Sequence, residues 1–129
     1  MTGSLEPLIS VIIPNYNYAH LLPRALDSAL TPSATDVEVI VVDDGSTDKS
    51  LEVLAAYAAR HPQLLVLRQA NAGAAAARNH GIRVARATYA LLLDADDELL
   101  PGALPKLREL VGRYPAAGMI LGAQISVYA

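Results

Sequence analysis

Val37-Glu-Val-Ile-Val-Val-Asp-Asp-Gly-Ser-Thr-Asp48 reads as a buried strand that stops on two acids and a turn. The β-branched run Val37 to Val42 is too short for a stable helix and suits the interior of a sheet. Asp-Gly-Ser-Thr-Asp is good turn and cap chemistry, so Ser46 or Thr47 is expected to cap a following helix, with acidic residues in its first turn. Leu51, Val53, Leu54 and Ala58 supply the apolar stripe of that helix, which should run to about Arg60.

The same alternation extends in both directions. Upstream, Leu8-Ile-Ser-Val-Ile-Ile-Pro14 is a second strand-like run, followed by Leu21, Leu22, Ala25, Leu26, Ala29 and Leu30 at helical spacing. Pro23 is tolerable there only near the first turn, and Thr31-Pro32 should end the helix. Downstream, Leu64 to Leu67 is a strand, Asn71 and Gly73 open an Ala-rich helix to roughly Arg86, and Tyr89 to Leu93 is a further strand. Pro101 precedes a helix carrying Leu104, Leu107, Leu110 and Val111, and Gly118 to Val127 is expected to form a fifth strand. Strands that alternate with helices and read as continuous apolar runs imply an α/β fold with a mainly parallel central sheet covered on both faces. In such sheets ligands bind outside the carboxyl ends of the strands. Asn15-Tyr16-Asn17, Asp43-Asp44 and Asp94 to Asp97 all arrive at that edge.

A chain of 129 residues is expected to form a single domain over 1–129, and 53% hydrophobic content excludes disorder. Much of that content is Ala, with no Phe, Trp or Cys, so the core rests on Leu, Ile and Val. The absence of Cys excludes disulfides, thiolate metal sites and a Cys nucleophile. A net charge of −3 argues against nucleic acid as a partner. The N-terminus lacks the basic and apolar regions of a signal peptide, and no apolar run is long enough to span a bilayer. The expected location is cytoplasmic, or peripheral to the inner face of the membrane in a full-length protein.

Over half of the 13 acidic residues fall in Asp43, Asp44, Asp48 and Asp94 to Glu98. Carboxylates as close as Asp94-Ala-Asp-Asp97 repel and raise one another's pKa unless a cation neutralises them. All-oxygen ligation suits Mg²⁺ or Mn²⁺ held by this acidic cluster. The bland alternative is an acidic flank for the helix after Pro101. Asp43 and Asp44 are candidates to accept from a base N–H or a ribose hydroxyl, against the alternative of a solvated turn. Tyr16 is a candidate to stack on a base, while Tyr18 reads as structural. Arg78 can reach phosphate, pair with the acidic cluster or stay a surface charge. His20, His61 and His80 lack metal-ligand spacing and read as surface residues.

Ser10-Val-Ile-Ile-Pro-Asn-Tyr-Asn17, Val39 to Asp48, Asn71-Ala-Gly73 with Ala77-Arg-Asn79 and Gly81, and Leu92-Leu-Asp-Ala-Asp-Asp97 together resemble the family 2 glycosyltransferases, inverting enzymes of GT-A fold. The blocks agree in order and spacing over roughly residues 8 to 115. The resemblance implies a three-layer sandwich and transfer of a sugar from a nucleotide-diphosphate donor, a UDP-sugar first, to a glycan or lipid-linked acceptor in polysaccharide, glycolipid or cell-envelope glycan synthesis. Asp94-Ala-Asp96 resembles the DxD motif, with Asp96 on Mn²⁺ or Mg²⁺ and Asp94 on ribose or metal. Asp44 would read the base, Pro14 and Tyr16 would form its pocket, and Arg78 would sit near the diphosphate. The family's catalytic base normally follows later in the chain, so the expectation is of a truncated, nucleotide-sugar-binding half, with the base beyond Ala129 and the acceptor half absent. A non-catalytic nucleotide-sugar-binding fragment is one rival. A response-regulator-like phosphoacceptor domain is another, because Val41-Val-Asp-Asp44 and Leu91-Leu-Leu-Asp94 locally resemble its acidic pair and phosphorylated Asp.

Overall fold

A computed structural model describes residues 7–32 and 35–115 of the chain. Its elements are β1 (Ile9–Asn15), α1 (Leu22–Ala29), β2 (Val37–Asp43), α2 (Ser50–Arg60), β3 (Leu64–Arg68), α3 (Ala74–Val84), β4 (Tyr89–Leu92) and α4 (Ala103–Arg113). The strands form one parallel sheet in the order β3-β2-β1-β4. The α/β architecture expected from the alternation is therefore the one observed. The expected fifth strand, Gly118 to Val127, lies outside the described residues.

Period-2 alternation in β1 and β2 divides the core between two faces. Ile9, Val11, Ile13, Val37, Val39 and Val41 pack with Leu22, Ala25 and Leu26 of α1, Leu54 and Tyr57 of α2, and Leu104 of α4. Ile12, Ile40 and Val42 face the other way, against Ala77 of α3. β1 and β2 are buried along their whole length, whereas the edge strands β3 and β4 are partly exposed. Gly81 lets α3 lie close on the sheet: a Cβ there would stand 2.6 Å from Ile12 Cγ2 and 3.3 Å from Val42 Cγ2. Of the small residues of the Ala-rich segment, Ala77 and Gly81 are the ones packed on the sheet, while Ala74 and Ala75 are exposed.

One local expectation fails. α2 begins at Ser50, not after Ser46 or Thr47, and Lys49 occupies its cap position without a side-chain hydrogen bond. The Ser46 hydroxyl instead accepts from the Asn17 N–H at 2.9 Å, and Asn17 Oδ1 accepts from the Thr47 N–H at 2.8 Å. Asp48 takes the Ser50 N–H at 2.8 Å and the Ala19 N–H at 3.0 Å. Ser46 and Thr47 tie the loop after β2 to the loop after β1 and so do not cap α2, while Asp48 serves both the loop after β1 and the first N–H of the helix.

Candidate nucleotide-sugar site

The chain moves from β1 outward through β2 to β3, then returns to place β4 on the opposite side of β1. That reversal opens a crevice between the loops after β1 and β4, the place where parallel α/β sheets bind ligands. A cleft of about 230 Å³ lies there. Pro14, Tyr16, Asp44, Arg78, Asp94 and Asp96 all line it. A larger hollow of about 750 Å³, between α1 and the loop before α4, contains none of these residues.

Asp43 is the exception. It is fully buried, accepts from Asn15 Nδ2 and from the Ser46 N–H at 3.0 Å each, and does not line the cleft. Its carboxylate braces the turn. Asp44 alone of the pair reaches the cleft, although only 3% exposed. Its Oδ1 accepts from Gln69 Nε2 and the Ala72 N–H, both at 2.8 Å. Its Oδ2 accepts from the Gly73 N–H at 2.9 Å and, more loosely, from Asn71 Nδ2 at 3.3 Å. Burial pushes this carboxyl upward, but the donors from Gln69, Ala72 and Gly73 outweigh it and hold the group below the ordinary range. Asp44 is thus an acceptor-only anion at neutral pH.

Tyr16 projects into the cleft with 44% of its surface exposed. The next residue, Asn17, has a φ of 58°, in the left-handed region that Asn tolerates. Tyr18, read from the sequence as structural, also lines the cleft. Arg78 pairs with Asp94, its guanidinium donating to Oδ1 at 2.9 Å. Of the alternatives open to it, the ion pair is the one observed.

The acidic loop continues β4 by alternation. Leu93 and Ala95 are buried anchors, and Asp94 and Asp96 project outward between and beyond them. The Asp97 N–H closes a turn onto the Asp94 carbonyl at 3.0 Å. Asp94, Asp96 and Asp97 thereby offer carboxylate oxygens that all lie within 4.8 Å of one another. Burial, then the charges of Asp96 and Asp94, push the Asp97 carboxyl upward, while Arg24 pulls it back. The sequence placed Asp97 in this cluster, and only the resemblance to the DxD motif narrowed the ligands to Asp94 and Asp96; the structure keeps all three carboxylates together. The supports of this loop were missed: Arg24 donates to the Asp96 carbonyl at 2.7 Å, and Ser28 Oγ accepts the Leu99 N–H at 3.0 Å. Both lie on α1, seventy-odd residues away, and no local pattern marks them.

The family described as "Glycosyl transferase family 2" matches residues 10–126. This chain belongs to that family. The glycosyltransferase YibD of Escherichia coli (strain K12) is 46% identical over 93 residues, which are 72% of this chain and 27% of YibD. Chondroitin synthase of Escherichia coli is 42% identical over 98 residues, 76% of this chain and 14% of that protein. Among solved structures, Staphylococcus aureus TarS 1-349 in complex with UDP-GlcNAc aligns with a TM-score of 0.77 at 29% identity, covering 84% of this chain and 32% of that one. The mannosyltransferase PcManGT from Pyrobaculum calidifontis, in complex with GDP-Man and Mn²⁺, aligns with a TM-score of 0.74 at 28% identity, covering 84% and 33%. The chain spans about a third or less of these relatives. The GT-A type of parallel sandwich is common to the family and the fold. The phosphoacceptor reading falls with this match, since β1 and α1 belong to the matched region and precede the acidic pair.

Proposed function

We propose that this chain is the donor-binding part of a glycosyltransferase, holding a nucleotide-diphosphate sugar across the cleft between the loops after β1, β2 and β4. The observation that carries this reading is the convergence of Tyr16, Asp44, Arg78, Asp94 and Asp96 on one cleft at the point where the strand order reverses. The solved complexes of TarS with UDP-GlcNAc and of PcManGT with GDP-Man support the donor class.

Each residue has a role its chemistry suits. Pro14 and Tyr16 offer an apolar and aromatic wall for the base. Asp44, acceptor-only, suits a base edge that donates, which favours uracil N3–H and disfavours cytosine, whose N3 is a lone pair. A UDP-sugar is the leading donor. Arg78 and Asp94 stand where diphosphate and ribose would lie. A divalent cation, Mn²⁺ or Mg²⁺, fits the carboxylates of Asp96 and Asp94, because the donor set is all oxygen and its mutual repulsion is relieved by positive charge. When bound it supplies Lewis-acid stabilisation of the departing nucleoside diphosphate. Asp43 does not share in this work; its carboxylate holds the turn that presents Asp44.

The cleft's volume falls below the ~300–1,000 Å³ of pockets that enclose a ligand. It suits part of a donor, with the remainder of the site built by other residues. Transfer with inversion to a glycan or lipid-linked acceptor, with a catalytic base that is not among the residues lining this cleft, belongs to the same proposal. No helix among the described residues is long and apolar enough to cross a membrane.

Calorimetric titration with UDP, GDP and dTDP, with and without Mn²⁺, tests the reading. We expect UDP to bind best, Mn²⁺ to strengthen it at least about tenfold, and Asp96→Ala to remove that gain. Tight UDP binding indifferent to both Mn²⁺ and Asp96→Ala would sink the metal assignment.

A further inference from the structure

Asp44 is held by a chain of side chains that runs through Gln69 to His80 on α3. Gln69 Nε2 donates to Asp44 Oδ1 at 2.8 Å, so the other end of the same amide, Oε1, points away and meets His80 Nδ1 at 2.9 Å. Oε1 only accepts, so His80 must carry its proton on Nδ1 to complete the contact. The three residues come from the position after β2, the position after β3, and α3. None is adjacent in sequence.

We propose that Gln69 and His80 are positioning residues for base recognition by Asp44. This rests on the reading that Asp44 accepts from the base. An amide side chain is nearly symmetric in shape, and turned over it would set Oε1 against the Asp44 carboxylate, oxygen against oxygen. The Asp44 carboxylate favours the orientation that donates to it, and a proton on His80 Nδ1 reinforces that orientation by taking the free Oε1 end. With Oδ1 committed to Gln69 and the Ala72 N–H, the carboxylate plane is set, and Oδ2 keeps the weaker Asn71 contact of 3.3 Å. Asn71 Nδ2 also donates to the Asp44 backbone carbonyl at 3.0 Å, so it retains a partner when Oδ2 takes a base N–H.

The test uses the whole chain and two ligands that differ only at the base edge, UDP and CDP, with binding measured by calorimetry in Mn²⁺. The native chain should prefer UDP by about tenfold or more, as expected for a hydrogen bond to a charged acceptor. Gln69→Met should cut that preference by about threefold to tenfold while leaving CDP binding within twofold or so of native. His80→Leu should lower it in the same sense, His80→Asn, which keeps a donor at the δ position, should restore it, and His80→Leu should add nothing on top of Gln69→Met. Should Gln69→Met fail to fold, the His80 pair carries the test. A native chain without UDP preference overturns the Asp44 reading and this proposal together. A native preference that survives both Gln69→Met and His80→Leu, or variants that weaken UDP and CDP equally, overturns the positioning role and leaves the Asp44 reading intact.

Discussion

At the scale of single residues, neighbouring positions of one motif do unlike things. Asp43 and Asp44 are both carboxylates at a strand end, yet one braces a turn in the interior and the other faces the cleft. Alternation across the end of β2 sends them opposite ways, so only Asp44 lines the cleft. Gly81 shows the same dependence on surroundings. In an isolated helix, Gly81→Ala would be stabilising by up to about 1 kcal/mol. Here the new Cβ would stand 2.6 Å from Ile12 Cγ2, in the middle of a fully buried strand. Overpacking of this kind costs about 1–3 kcal/mol, so the clash outweighs the propensity. We expect Gly81→Ala to lower the thermal unfolding midpoint; an unchanged or raised midpoint would show that α3 can slide away from β1 without loss.

At the scale of elements, α1 does more than cover the sheet. Leu22, Ala25, Leu26 and Ala29 bury one face, and burial of a full Leu side chain is worth roughly 1.5–3 kcal/mol. From the same helix Arg24 and Ser28 hold the acidic loop by its backbone. Arg24 therefore acts on the carboxylates twice, by fixing the Asp96 peptide and by placing a positive charge near Asp97. These two actions oppose each other for a cation, and we expect loss of the brace to outweigh removal of a like charge, so that Arg24→Ala weakens Mn²⁺ binding by up to about tenfold, the lower range for outer contacts of a metal site. Because Arg24 is exposed, the unfolding midpoint should move little. Mn²⁺ titration beside a denaturation curve separates the two effects, and equal Mn²⁺ affinity in both proteins would remove α1 from the account of the site.

At the scale of the whole molecule, three carboxylates tie separate elements together. Arg108 on α4 donates to both oxygens of Asp36 before β2, at 2.9 and 2.6 Å, and holds that carboxyl below its ordinary value against the opposing effect of burial. Burial pushes Glu38 up, but Ser10 on β1 and the backbone and side chain of Arg86 after α3 more than compensate. Asp44 joins the ends of β2 and β3 to the start of α3. Each carboxyl titrates at lower pH in the fold than unfolded, so acid makes unfolding take up protons. The stability they add is complete above the unfolded range of about 3.9 for Asp and 4.3 for Glu. It is lost as pH falls through the lower folded values. The urea midpoint should thus be nearly flat from pH 7 to about 5 and decline below about 4. Glu38→Gln should lower the plateau and make the acid decline shallower; an unaltered slope would mean that Glu38 contributes nothing through ionisation.

The strands, the alternation with helices and the ligand edge were legible in the sequence because β-branched runs such as Val39 to Val42 and helical spacings such as Leu22, Ala25 and Leu26 are local signals. The DxD-like acids were legible because four carboxyl groups in five residues, Asp94 to Glu98, need either cation or water wherever they fold. The misplaced start of α2 had a different cause. Ser46 and Thr47 are good caps in isolation, but Asn15 and Asn17, some thirty residues earlier, claim them. What sequence alone determined was the kind of sheet and the end at which its chemistry gathers, since both follow from periodicity within a few residues. Which Asp of the pair faces the cleft, that Arg78 meets Asp94, and that Arg24, Gln69 and His80 stand behind the acids were decided only by tertiary structure. Those contacts join residues that the crossovers bring together, and short-range spacing carries no information about them.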